Sequence, residues 1–113
     1  MIDSYSFGRI VIAGREYRND VFILLDGSVL SPWWREESHR LSAADLTPVL
    51  TAKPEILIAG TGSSGMVVPD DDLPAHLAER GVELVALPTD EAVKLYNDLS
   101  SMRHVAACLH LTC

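Results

Sequence analysis

The stretch "EILIAGTGSSGMVVP", residues 55–69, decides how the second half of the chain is read. After one acid it runs Ile56-Leu57-Ile58-Ala59 without a polar break. A short continuous apolar run of this kind predicts a strand buried on both faces, and so a sheet covered on both sides. Gly60, Gly62 and Gly65 follow in G-x-G-x-x-G spacing, the pattern of a dinucleotide-binding loop. That loop works only when its third glycine opens a helix whose N-terminal N–H groups receive the pyrophosphate. Here Gly65 leads into Met66-Val67-Val68-Pro69, and a residue ahead of proline is pushed away from helical angles. The chain is therefore predicted to leave the bend extended, with the next helix starting near Asp71. The run Asp70-Asp71-Asp72 suits that helix entry but would repel a phosphate. Only 48 residues follow Gly65, too few for two mononucleotide halves, and Glu83 stands at the start of its strand where the ribose-binding acid normally ends one. Dinucleotide binding is set aside. Two readings of the loop stay open. In one, the hydroxyls of Thr61, Ser63 and Ser64 and the turned backbone N–H groups surround a small anion. In the other, the loop is a tight bend that needs positive φ angles.

Working outward, Asp71 or Asp72 is the expected N-cap of the next helix, with Pro74 in its first turn and Gly81 at its end. "VELVAL" reads as a strand. Thr89 is expected to cap a longer helix reaching about Ser101, with Ala92, Leu95, Tyr96, Leu99 and Met102 on one face. "HVAACLHLTC" alternates as a last strand. Upstream, "GRIVIAG" and "DVFILL" are β-rich, and Asp26-Gly27 between apolar runs is a hairpin signal. Pro32 ends the returning strand or leaves it at an edge, and "WWREESHR" is a polar loop. Ser42 starts a short helix with Asp45 as an imperfect capping box, and Pro48 kinks or shortens it. The expected fold is α/β: a single compact domain over residues 1–113, with a central mixed β-sheet, N-terminal antiparallel hairpins and covering helices.

The 113 residues suffice for one core, and 48% apolar with 22% charged residues is an ordinary globular balance. A formal net charge of −7 argues against nucleic acid and anionic membrane surfaces as partners. "MIDSYSFGR" lacks the basic start and apolar run of a signal peptide, so a cytoplasmic location is expected. Cys108 and Cys113, on one extended strand, would stand roughly 17 Å apart, beyond a disulfide's reach. His39, His76, His104 and His110 have no zinc spacing, and no metal site is expected. His110 is read as a half-buried sheet residue. Ser63 and Ser64 do not form a nucleophile elbow, since no helix follows. Cys108 sits among apolar neighbours and is read as inert packing. Trp33-Trp34-Arg35 has two readings: an exposed aromatic–arginine anchor for a protein partner, or one Trp over the end of the core with Arg35 paired to a nearby acid.

Taken together, "FGRIVIAGREYRNDVFI", "WWREESHRL", "ILIAGTGSSG", "LAERGVELVALPTDEAVKLYNDL" and "RHVAACL" resemble the small single-domain Mth-type family of unknown function. Its eukaryotic relatives include mitochondrial NADH dehydrogenase (complex I) assembly factor three and the adipogenesis-associated Mth-type domain protein. The most specific marks are the strand before Gly60-Thr61-Gly62, and Pro88-Thr89 with Ala92, Tyr96-Asn97 and Leu99. The resemblance implies a compact mixed-sheet fold, no established enzymatic activity, and relatives that assemble or regulate other proteins; no cofactor is expected. The mitochondrial role is not carried over, because no targeting segment is read. A shared ligand site is expected at Arg35, Gly60, Thr61, Gly62, Ser63, Thr89 and Asn97, and partner binding at Trp33 and Trp34. Two functions follow. The first is a non-catalytic protein-binding or assembly module, with an unknown protein partner or a homodimer. The alternative is a small-anion or metabolite-binding protein, or an unrecognised enzyme, using the Gly60–Gly65 loop.

Overall fold

Three fully buried strands form the centre of the molecule. The computed structural model describes residues 1–47 and 52–113. Three antiparallel strands come first: β1 (Ile2–Ser6), β2 (Arg9–Ile12) and β3 (Arg15–Tyr17), in the order β1-β2-β3. β4 (Val21–Ile23) and β5 (Val29–Leu30) form the hairpin predicted from Asp26-Gly27, with Phe22 opposite Leu30 and Ile23 opposite Val29. β6 (Arg40–Leu41) and one turn of 3-10 helix (Ala43–Leu46) follow. Then come β7 (Ile56–Gly60), β8 (Val68–Pro69), α1 (Leu73–Ala78), β9 (Glu83–Leu87), α2 (Thr89–Leu99) and β10 (Val105–Leu109).

The central sheet has the order β5-β4-β10-β7-β9. β10 runs parallel to β7 and antiparallel to β4, and β7 runs parallel to β9, so the sheet is mixed. Every residue of β7 and β10 is buried, which follows from covering both faces. Period two sends Ile56, Ile58, Val105, Ala107 and Leu109 to one side, under α2 and the β1–β3 sheet. It sends Leu57, Ala59, Ala106 and Cys108 to the other, beneath Leu73 and Leu77 of α1 together with Trp33, Leu41 and Leu46.

Several local expectations change. β1–β3 make a sheet of their own, while only β4 and β5 extend the central one. On α2 the inward face is Ala92, Val93 and Tyr96, with Leu95 and Leu99 packed at its margin. Met102 lies past the helix and is 72% exposed. Pro88, not Thr89, occupies the N-cap position of α2, because the Thr89 hydroxyl is used elsewhere. Asp72 stands at the start of α1 with Pro74 in the first turn, as expected. Gly81 has φ +77° just past the end of α1, where Val82 N–H donates to the Leu77 carbonyl at 3.0 Å. At the 3-10 turn, Ser42 N–H donates to the Asp45 carboxylate at 2.9 Å. Pro48 lies outside the described residues. No helix among the described residues is long and apolar enough to cross a membrane.

Candidate functional site

β7 delivers the chain to the glycine loop at the sheet edge where β9 and β10 also end. The bend is extended on exit: Gly65 passes through Met66 and Val67 into β8, which pairs with β6, and α1 begins only at Leu73. No helix springs from the bend itself; the neighbouring helix start is that of α2, whose Thr89 N–H donates to the Gly62 carbonyl at 3.1 Å. The backbone N–H groups of Thr61, Gly62, Ser63, Gly65 and Met66 are engaged within the protein. Gly62 N–H donates to Thr89 Oγ1 at 2.8 Å, and Ser63 N–H to the Thr112 carbonyl at 2.8 Å. Gly65 N–H donates to the Gly62 carbonyl at 3.2 Å and Met66 N–H to the Cys113 carbonyl at 3.1 Å. Thr61 is held twice by the Leu87 carbonyl, from its N–H at 2.8 Å and its hydroxyl at 3.0 Å.

The glycines are there because neighbouring atoms come close. A Cβ on Gly60 would lie 2.8 Å from Leu109 Cδ2 and 2.9 Å from Thr89 Oγ1. One on Gly62, at φ +105°, would lie 2.6 Å from the Cys113 carbonyl oxygen. Thr89 is wholly buried, and its hydroxyl accepts from Gly62 N–H while donating to the His110 carbonyl at 2.6 Å. One threonine oxygen thus ties the glycine loop, the start of α2 and the end of β10 together.

The other side of His110 belongs to a polar cluster. Its Nδ1 lies 2.7 Å from Asp20 Oδ2, and Asp20 Oδ1 accepts from Leu111 N–H at 2.9 Å. Arg35 Nη1 donates to Asp20 Oδ2 at 2.9 Å, while its Nε and Nη2 donate to the Ser38 carbonyl at 3.1 and 2.8 Å. The Arg35 and His110 side chains are only 5% and 10% exposed. Burial pushes the Asp20 carboxyl up, but bonds from His110, the Leu111 N–H and Arg35 outweigh it and hold the group below the usual carboxylate range. Arg35 Nη2, which can only donate, also lies 3.1 Å from Nδ1, but it is already bonded to the Ser38 carbonyl at 2.8 Å; the ionised Asp20, nearer at 2.7 Å, assigns the ring proton to Nδ1 and leaves Nε2 as the second ring position.

Trp33 is buried, edge-on to Phe22 at 5.7 Å, and donates from Nε1 to the Asp45 carbonyl at 3.1 Å. The Arg35 guanidinium lies 5.0 Å from its ring centre. Trp34 points the other way and is 75% exposed. It lines a cleft of about 440 Å³ together with Arg18, Arg35, His110, Leu111 and Thr112.

Of the residues predicted for a ligand site, Gly60, Thr61, Gly62, Ser63, Thr89 and Arg35 gather around residues 110–113. Asn97 does not. It stands eight residues along α2 from Thr89, about 12 Å away, and clamps the Ile2 N–H and carbonyl at 2.9 and 2.8 Å. Asp20 was not predicted, and no local pattern marks it, since its partners lie 15 and 90 positions away. His110 is more buried than expected, because the cluster surrounds it. Cys108 is fully enclosed, which pushes its thiol up to about 12; both cysteines are free. Asp70, from the acidic run, pairs with Arg40 at 2.6 Å. Among the described residues no group of three or more His, Cys, Asp or Glu is arranged to hold a metal ion.

A small α/β domain with a doubly covered mixed sheet and a threonine-clamped glycine loop is the class these features define. The family model for a protein of unknown function (DUF498/DUF598) matches residues 2–110, and the chain belongs to that family. The solved structure of MT938 is 35% identical, with a TM-score of 0.84 over 100% of this chain and 98% of that one. The conserved hypothetical protein PH1505 from Pyrococcus horikoshii OT3 is 26% identical, with a TM-score of 0.84 over 100% and 99%. A Mth938-like domain from Bordetella pertussis, 20% identical with a TM-score of 0.64 over 98% and 85%, shares the fold. The resemblance to the Mth-type family is confirmed.

Proposed function

We propose that this chain is a non-catalytic protein-binding module of the cytoplasm, with Trp34 as the anchor of its docking face. The observation that carries this is a large aromatic side chain 75% exposed on a loop fixed at both sides. Trp33 N–H is bonded to the Asp20 carbonyl at 2.8 Å and its indole is buried, while Arg35 is pinned to Asp20 and Ser38. A rigid aromatic loses little entropy on docking, which is what makes tryptophan effective at interface centres. Two free cysteines fit a reducing compartment. The glycine-loop alternative is less favoured, because Gly62, Ser63, Gly65 and Met66 N–H groups already have acceptors within the fold.

Affinity capture from the native cell, with wild type and Trp34→Ala as parallel baits, tests the reading. A partner recovered by wild type should fall by about tenfold or more with Trp34→Ala, in line with an interface hot spot, while the melting temperature stays unchanged. Identical recovery by both baits, or no reproducible partner for wild type, refutes it.

A further inference from the structure

The cleft beneath Trp34 has a floor that protein–protein docking does not require. His110 is 10% exposed at its side chain and lines the cleft, with Nδ1 committed to Asp20. The neighbour of Nε2 is Thr112 Oγ1 at 3.4 Å, too long for a full-strength bond. A nine-tenths-buried imidazole thus keeps an under-used acceptor beside a hydroxyl. The carboxylate that fixes its tautomer also fixes its ring orientation. Charge is balanced on this floor: Arg35 is matched by Asp20, and its N–H groups reach Asp20 and the Ser38 carbonyl. At the rim Arg18 is paired with Glu16 at 3.3 Å and Glu36 adds a carboxylate, so the lining of the cleft carries no net positive charge for a carboxylate or phosphate. One wall is the Trp34 indole and another is Leu111. The volume of about 440 Å³ lies in the range of small-molecule sites.

We infer that this cleft is a binding site for a small neutral aromatic or heteroaromatic molecule bearing an O–H or N–H donor. The ring lies against Trp34, the donor is accepted by His110 Nε2, and the Thr112 hydroxyl serves an adjacent acceptor. Asp20 acts as a positioning residue, through the imidazole. The site shares Trp34 with the protein-binding reading but does not depend on it.

The test is an NMR titration of the whole chain with phenol, anisole and inorganic phosphate as probes, following the Trp34 indole N–H and the His110 ring protons. Phenol should give saturable shifts at both residues with half-saturation in the millimolar range, about 4 kcal/mol of binding. Anisole has the same ring without the donor and should bind about fivefold or more weakly, the worth of one hydrogen bond. Trp34→Ala, at an exposed position that does not threaten folding, should weaken phenol about threefold or more. Any of three results overturns the inference: no saturable shift with phenol, equal binding of phenol and anisole, or phosphate displacing phenol from these resonances.

Discussion

The glycine loop and the Trp33–Arg35 loop lie on either side of His110, and they use their polar groups in opposite ways. In the glycine loop the motif that resembles a ligand cradle is closed. The N–H groups of Gly62, Ser63, Gly65 and Met66 point at Thr89, Thr112, Cys113 and the loop itself, and its glycines give room to backbone and side chains of the same molecule. The Trp33–Arg35 loop has no recognised motif, yet it opens a cleft with an exposed indole at the rim and a tautomer-fixed histidine at the floor. The difference teaches that a glycine pattern reports close approach without saying what approaches. Whether a loop is a site depends on which donors and acceptors are left after the fold has taken its share.

The sharpest way to break this comparison is Gly62→Ala. Its Cβ would press on a carbonyl oxygen at 2.6 Å in a backbone conformation that L-residues avoid. Strain and overpacking together should cost about 3 to 5 kcal/mol. Gly27→Ala is the control: φ is +86°, but nothing lies within 4 Å, so only the conformational cost of about 1 to 2 kcal/mol applies. Urea melts of the two variants measure the gap. Equal losses would mean that the loop has room for a side chain, and therefore for a ligand atom.

Next in size is Asp20→Asn, which strikes the opposite loop. Removing the carboxylate leaves Arg35 buried without its counter-charge and should cost about 2 to 4 kcal/mol at neutral pH. The pH dependence carries the signature. Asp20 has a depressed value in the folded state, so the unfolded chain binds the proton more readily. The stability it contributes is present above its unfolded value of about 3.9 and is lost as pH falls through the lower folded value. Wild type should lose stability through that acid window, and Asp20→Asn should lose less over the same range. Parallel acid limbs in the two proteins would show that the cluster does not hold Asp20 ionised.

What could be read in advance follows the same division. β7 was legible because five consecutive buried positions leave an uninterrupted apolar run, and the β4–β5 hairpin because Asp26-Gly27 is a local signal. The extended exit from the glycine bend was legible because Val68 precedes Pro69, a constraint between neighbours. The separate β1–β3 sheet was not, since strand periodicity says which face is apolar but not which sheet a strand joins. Met102 continues the helical spacing of α2 on paper, yet α2 stops at Leu99. The Asp20–His110 contact spans 90 positions and leaves no mark in either local stretch. Thr89 shows how a correct residue can carry an incorrect role. A threonine after proline at a helix start reads as a cap, and only the tertiary fold reveals that its hydroxyl faces His110.

Thr89→Val sharpens the comparison with the smallest expected effect. Valine matches threonine in shape, so packing against Gly60 and Leu109 is kept while the hydroxyl is lost. Two wholly protein-enclosed groups then lose their partner: the Gly62 N–H, which donated at 2.8 Å, and the His110 carbonyl, which accepted at 2.6 Å. Unsatisfied buried groups of this kind should cost about 2 kcal/mol in all, allowing for relaxation. Thr89→Ser keeps the oxygen and loses a methyl group, for about 1 kcal/mol. The order of the two variants is what decides. If valine is the worse, the threonine acts through its hydroxyl, and the glycine loop is held shut by a hydrogen-bond relay that reaches the residue flooring the cleft. If serine is the worse, the methyl contact dominates, and the loop and cleft are joined only by the backbone of residues 110–113. Hydrogen exchange at Gly62 N–H separates the same alternatives independently of global stability, since loss of the relay should speed exchange there under valine but not under serine.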